Sequence, residues 1–233
     1  MHLLIKIDEA AKNWERTGDE KYKKEWYELI KMIPLKPVIE PIFPTPLYRS
    51  MLKNSITDAQ VDYVFKLETN KNLNNKTSAN TFILNEDEFK SLKDELHLML
   101  KDYYKQVIGR DDLEPYITQS WVNFTDPGES HHLHSHRNSI VSGVVFLQAD
   151  KDYDKITFCR DNLKVFDFIG KPNIYNFEEV DVPAGKDFVI LFPSDLRHKV
   201  KKTEYIKTRV SLSFNSFIKG FLGKTSDLTE LKI

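Results

Sequence analysis

Four positions in the C-terminal half of this chain have the types and spacing for metal chemistry: His134 and His136, then His198, then Arg209. Side chains on an extended segment alternate with period two, so the His134 and His136 imidazoles share a face. The later imidazole of His198 joins them if a sheet folds back on itself. Neutral imidazole suits Fe, Zn, Cu and Ni, so three converging histidines make an open, redox-capable metal site. Arg209, eleven residues past His198, adds a fixed cation with a planar donor fork, the group best suited to gripping a carboxylate. These residue types predict a metal beside an anchored dicarboxylic acid.

A blander origin for the cluster has to be weighed. Four of the seven histidines fall within the six residues His131 to His136, and on composition alone such a tract reads as a solvated loop or a chance metal-affinity run. Its setting argues against that. It follows a β-rich run, Ile117 to Phe124, and a turn at Asp126-Pro-Gly128, and it precedes the apolar run Ser139 to Leu147. The sequence therefore places the tract between two core strands.

Helices are expected to come first and strands later. Ile7, Ala10, Ala11 and Trp14, then Tyr22, Trp26, Leu29, Ile30 and Ile33, keep helical spacing, and Thr17-Gly-Asp-Glu20 has capping-box spacing. Five prolines between Pro34 and Pro46 exclude a helix there and predict an extended run. A helix is expected from Thr57, with Gln60 completing a capping box. Another is expected from Asn85, with the stripe Phe89, Leu92, Leu96, Met99 and Tyr103 packed on a sheet. Strands are predicted at 117–125, 139–148, 155–159, 187–192 and 208–217, with tight turns at Gly128 and Pro183-Ala-Gly185 and a long loop with some strand over 160–182. Helices followed by many strands predict an α+β chain with a β-sandwich or barrel core.

Bulk properties bound the rest. The chain has 233 residues, 40% of them hydrophobic and 12% aromatic, enough for one sizeable core. A formal net charge of −1 gives no global field toward DNA, RNA or a membrane surface, which argues against a nucleic-acid partner. The single cysteine, Cys159, cannot form an intrachain disulfide and reads as a small buried hydrophobe in a reducing compartment. No apolar run has signal-peptide or membrane-spanning length, so the expected location is the cytoplasm.

Over roughly residues 40–217 the chain resembles the iron(II)/2-oxoglutarate oxygenase superfamily, and within it a poorly characterised group found in bacteria and tailed phages. The pieces that carry the resemblance are Ile42 to Tyr48, Trp121-Val-Asn123, Gly128 to His136, Ser142-Gly143 with Val145 to Leu147, Phe192 to Val200, and Arg209 to Asn215. The resemblance implies a double-stranded β-helix (jelly-roll) core with an N-terminal helical region packed on one sheet. It implies a helical extension at 1–40, an oxygenase domain at 41–220 and a tail at 221–233. It also implies Fe(II) as metal, 2-oxoglutarate as cosubstrate, O2 as co-reactant, and hydroxylation of a substrate that could be a protein side chain, a nucleotide or a small metabolite. His134 would be the first ligand and His198 the distant one. Arg209 would bind the far carboxylate of 2-oxoglutarate, with Ser211 assisting and Asn123 a further contact. The second ligand position departs from the family pattern, because His136 stands where a carboxylate is usual. Either His136 ligates, giving a three-histidine face, or water or a carboxylate from elsewhere fills that place.

Bland assignments stand beside these. Trp121 is expected in the core. Ser142-Gly143 is expected where a strand or ligand approaches closely, and Lys199, Lys201 and Lys202 form a solvated edge or a basic rim. A cupin shares the fold, and Gly128 followed by His134 and His136 matches the opening of its motif. That motif also requires a Glu near Ile140 and a His near Phe188, and this chain has neither. A cupin-like enzyme without 2-oxoglutarate and a non-catalytic jelly-roll module stay as alternatives.

Overall fold

Where Val, Ile, Phe and Thr cluster in the sequence, the backbone runs extended and pairs. The computed structural model describes residues 3–33, 39, 41–160, 170–204 and 206–233. They fall into two compact units, Met1–Pro44 and Thr45–Ile233.

The first unit holds α1 (Leu3–Thr17) and α2 (Glu20–Lys31), with Trp14 and Trp26 packed 5.9 Å apart, centroid to centroid. The expected capping box at Thr17 is not formed. Thr17 ends α1, donating from Oγ1 to the Asn13 carbonyl. Gly18 then adopts φ +67°, the left-handed conformation that glycine tolerates best. Asp19 caps α2 instead, accepting from the Lys21 amide at 2.8 Å. The expected proline run over 34–46 lies partly outside the described residues.

The second unit is built on two antiparallel sheets. Its elements are β1 (Tyr48–Met51), α3 (Asp58–Phe65), β2 (Thr69–Lys71), β3 (Lys76–Ser78), α4 (Lys90–Tyr103), β4 (Glu114–Thr125), β5 (His131–His134), β6 (Val141–Gln148), β7 (Lys155–Cys159), β8 (Glu179–Pro183), β9 (Phe188–Pro193), β10 (His198–Val200), β11 (Arg209–Lys219), β12 (Phe221–Leu222) and β13 (Leu231–Lys232). The major sheet runs β1-β9-β6-β11-β4-β3-β2 and the minor sheet β5-β10-β7-β8, while β12 and β13 pair as a hairpin. This is a jelly-roll core. Val144 and Phe146 of β6 and Ile190 and Phe192 of β9 meet Ile156, Phe158 and Val182 of the minor sheet, so one apolar cluster lies between the sheets. The alternate residues Val145, Leu147, Leu191, Val210, Leu212 and Phe214 pack on the other face against α4.

The α4 stripe is as expected, but its helix starts at Lys90 rather than Asn85. Two short 3-10 turns precede it, and Asn85 accepts from Lys93 Nζ instead of capping. Thr57 and Gln60 do form the reciprocal capping box of α3. Gly143 lies where a Cβ would stand 2.2 Å from Phe214 Cζ and 2.7 Å from Leu191 Cδ2, so the close approach expected there is made by core side chains. The strand expected at 117–125 starts at Glu114, and within 160–182 the stretch from Glu179 belongs to β8, while 161–169 lie outside the described residues.

Candidate metal centre and carboxylate pocket

The histidine tract is itself a strand. His131–His134 form β5, which pairs antiparallel with β10 so that His134 stands opposite His198. His136 lies two residues beyond the strand, and its backbone amide donates to the Ser194 carbonyl at 2.8 Å. One ring nitrogen from each of His134, His136 and His198 can be chosen so that all three lie within 4.8 Å of one another. Nε2 of His136 and Nε2 of His198 are 3.3 Å apart, with their rings parallel to within 2°.

Hydrogen bonds orient these rings. Nδ1 of His134 lies 2.8 Å from the His132 carbonyl, and Nδ1 of His198 lies 3.0 Å from the Leu196 carbonyl. A carbonyl only accepts, so each Nδ1 carries the proton and each Nε2 presents a lone pair. Asn215 hydrogen-bonds the His136 side chain, and Trp121 stacks on that ring at 5.6 Å. Burial, ahead of the neighbouring histidines, pulls His136 down to about 4 and His198 to about 3, and it lowers His134 as well. The imidazoles are therefore neutral near pH 7, the form that ligates metals. Bare nitrogen lone pairs crowded in a dry site fit a shared cation.

His131, His132 and His134 also bring ring nitrogens within 4.8 Å of one another. In that set, Nδ1 and Nε2 of His131 are faced by the side-chain amides of Asn75 and Asn72 at 3.4 and 3.5 Å, which leaves no free nitrogen for a metal. His131 instead stacks on His134 at 4.6 Å.

The carboxylate-binding candidates lie on the inner face of the major sheet. Arg209, Ser211, Ser213 and Asn215 alternate with the core residues of β11, and their register partners on β4 are Thr125, Asn123, Trp121 and Gln119. Arg209 is 2% exposed. Among the described residues its guanidinium has no ion pair, and its Nε is buried without a hydrogen-bond partner. Desolvation pulls its pKa down to about 10, against a weaker pull upward from Asp154. The guanidinium stands 5.1 Å from the Phe146 ring. Beside it, Asn123 Oδ1 and Thr125 Oγ1 are also buried without partners, while Asn123 Nδ2 donates to Ser213 Oγ at 3.0 Å. Buried polar groups are nearly always satisfied in folded proteins. Arg209 Nε and Thr125 Oγ1, opposite each other on one rung, can both donate and so suit an anion, whereas Asn123 Oδ1 on the next inward-facing rung can only accept.

Sequence reasoning missed Thr125 and Asn215 here, although the period-two spacing from Asn123 and from Arg209 points to both. It also misplaced Trp121, which is half-buried beside His136 rather than in the core. Of the three lysines after His198, Lys201 pairs with Asp181 and Glu179 at 3.0 and 3.3 Å and Lys199 pairs with Glu179, so two belong to a neutralised edge.

Residues 119–215, which carry this whole constellation, match the family model described as "Putative 2OG-Fe(II) oxygenase". The resemblance to iron(II)/2-oxoglutarate oxygenases is thereby shown across the site. No curated protein matches the chain in sequence. Among solved structures, HygX from Streptomyces hygroscopicus with nickel and 2-oxoglutarate bound is similar at TM-score 0.53 and 12% identity, over 79% of this chain and 90% of that one. The non-heme alpha ketoglutarate dependent epimerase SnoN from nogalamycin biosynthesis gives TM-score 0.53 and 11% identity over 74% and 78%. The carbocyclase SnoK from the same biosynthesis gives TM-score 0.50 and 10% identity over 74% and 79%. At these identities the likeness establishes the fold alone. Among the described residues no helix is long and apolar enough to cross a membrane.

Proposed function

We propose that this chain is an Fe(II)- and 2-oxoglutarate-dependent dioxygenase that hydroxylates an organic substrate. In this reading His134, His136 and His198 hold the metal, while Arg209, Ser211 and Asn123 bind 2-oxoglutarate. The observation that carries it is the buried Arg209 guanidinium on the major sheet, with no ion pair among the described residues, together with the neutral three-histidine cluster borne by the minor sheet. When bound, Fe(II) and 2-oxoglutarate together supply the O2-dependent oxidation, with succinate and CO2 as the cosubstrate's products.

The chain's own residues do the rest. The carbonyls of His132 and Leu196 lock two tautomers, so that His134 and His198 offer Nε2 without reorganising. Arg209 supplies a planar donor fork to a terminal carboxylate, and the low dielectric around it strengthens that pair. The Ser211 and Thr125 hydroxyls offer the cosubstrate further donors, as does the Asn123 Nδ2 hydrogen not given to Ser213. Phe192 stands 4.8 Å from the His198 ring and 6.4 Å from His136, and keeps water from that side.

Anaerobic titration of the protein with Fe(II) and then 2-oxoglutarate tests the reading. A visible charge-transfer band that saturates with 2-oxoglutarate is expected, followed in air by succinate. Metal binding without any response to 2-oxoglutarate would instead support a cupin-like enzyme, and no metal binding a non-catalytic module.

A further inference from the structure

His136 is the one metal candidate outside a strand, two residues past the end of β5, so strand pairing does not hold it. A closed circuit of hydrogen bonds does so instead. The His136 backbone amide donates to the Ser194 carbonyl at 2.8 Å. The Ser194 hydroxyl lies 2.8 Å from Ser142 Oγ, and Ser142 Oγ donates to Asn215 Oδ1 at 2.9 Å. Asn215 in turn hydrogen-bonds the His136 side chain, which closes the circuit. Ser142, Ser194 and Asn215 are all buried, so leaving any of these bonds unmade is costly.

The strands are built to aim this amide. Asn215 and Ser142 are register partners on β11 and β6, so their side chains rise on the same face. On its other side β11 shifts register against β4 immediately after Asn215, from Gln119 to Ile117. The residue passed over, Thr118, donates from Oγ1 to the Asn215 carbonyl at 3.2 Å. Bulges of this kind re-aim side chains beside functional sites.

What the amide adds is a choice between two edges of a ring. Trp121 stacks on His136 at 5.6 Å, and the His198 ring lies parallel to it within 2°. Stacking fixes the plane of an imidazole but does not distinguish its two nitrogens. Nε2 of His136 is turned toward Nε2 of His198, which leaves Nδ1 for Asn215. A neutral imidazole has one N–H, so a ring that gives Nε2 to a metal carries its proton on Nδ1, and that proton needs an acceptor. Backbone carbonyls serve His134 and His198. Among the described residues no backbone carbonyl accepts from the His136 ring, whereas Asn215 Oδ1 has a second lone pair beside the one given to Ser142.

We propose that Asn215 is a positioning residue for the metal, holding Nε2 of His136 toward the ion by accepting from Nδ1, with Ser142 and Ser194 as its brace. The inference rests on the assignment of His136 as a ligand in the dioxygenase reading.

Mn(II) binding to the full chain, followed by the electron paramagnetic resonance of the free ion, tests this. Asn215→Leu keeps the size of the side chain but accepts no hydrogen bond, and should weaken Mn(II) binding roughly ten- to a hundredfold. Asn215→Asp accepts more strongly and should bind Mn(II) at least as tightly as the parent. It should also lower the Fe(III)/Fe(II) potential of the iron-loaded protein, because a carboxylate beside the Nδ1 proton makes the ring a more basic ligand. A residue that merely packs would not separate Leu from Asp in this way. Gln119→Leu, at the exposed register partner of Asn215, should leave Mn(II) binding as it is. If His136→Ala loses the ion while Asn215→Asp binds it more weakly than the parent, or Asn215→Leu folds and binds it equally well, this inference is overturned and the dioxygenase reading stands. If His136→Ala binds Mn(II) as tightly as the parent, or the parent binds none, the ligand assignment fails and this inference with it.

Discussion

Replacing Arg209 by Met separates a functional cation from a structural one, because the two roles predict opposite signs for stability. Burial pulls the guanidinium from its ordinary value of 12.5 to about 10, which corresponds to about 3 kcal/mol of unfavourable charge burial. The contact with the Phe146 ring at 5.1 Å offsets about 0.5–2 kcal/mol of that. Methionine fills much of the same space without a charge. The metal-free, cosubstrate-free variant should therefore be more stable by about 1–2 kcal/mol, a rise of roughly 2–8 °C in melting temperature for a domain of this size. Binding should move the other way. Losing a hydrogen bond to a charged group costs about 1.5–3 kcal/mol, so affinity for 2-oxoglutarate should fall roughly ten- to a hundredfold or more. Thermal melting of the metal-free protein and calorimetry of 2-oxoglutarate into the Mn(II)-loaded protein measure the two effects. A variant that melts lower and binds 2-oxoglutarate as tightly as the parent would show that Arg209 is a strand contact and refute the reasoning.

Other perturbations test the remaining parts. His134→Ala and His198→Ala should each abolish stoichiometric Fe(II) binding by elemental analysis, whereas His131→Ala should retain it, because Asn72 and Asn75 already face both nitrogens of that ring. His136→Asp should keep measurable iron while His136→Ala loses most of it, and equal affinity in His136→Ala and the parent would make that imidazole a bystander. Gly143→Val should destabilise the chain by about 1–3 kcal/mol or more in denaturant unfolding, since its Cβ would meet Phe214 at 2.2 Å. His131, His136 and His198 are held at about 3, 4 and 3 by burial. The unfolded chain thus takes up protons that the folded one refuses, and metal-free stability should fall as pH drops from about 6.5 to 5. That slope should shrink in His198→Asn.

Much of the site was legible because strand periodicity is short-range and strict. His134, Arg209, Ser211 and Asn123 all face the inner side that period two assigns to them, and the helix stripe from Phe89 to Tyr103 follows the same logic at its own period. What escaped the sequence depends on pairing between distant segments. Nothing local announces that β10, three residues long, lies between β5 and β7. Nor does anything local show that Trp121 leans on an imidazole rather than sinking into the core. Thr17-Gly-Asp-Glu20 misled because several capping residues sat together, and tertiary geometry chose Asp19. The 3-10 turns before α4 likewise displaced a cap that the pattern at Asn85 suggested.

The brevity of β10 has a mechanical consequence. His198 is paired across to His134 on one neighbour and to Phe158 on the other, with a register shift before Val200. So short a strand has few backbone bonds to resist fraying, and segments held by few such bonds open first in native-state fluctuations. An ion bound as proposed by His134 and His198 together would stitch β5 to β10 at the rung where the ladder is thinnest. Ion affinity and cohesion of the minor sheet then become one free energy. Amide protons of β5 and β10 would exchange with solvent fastest in the stripped protein and slow most on loading, while those of β6 and β11, deep in the major sheet, would barely respond.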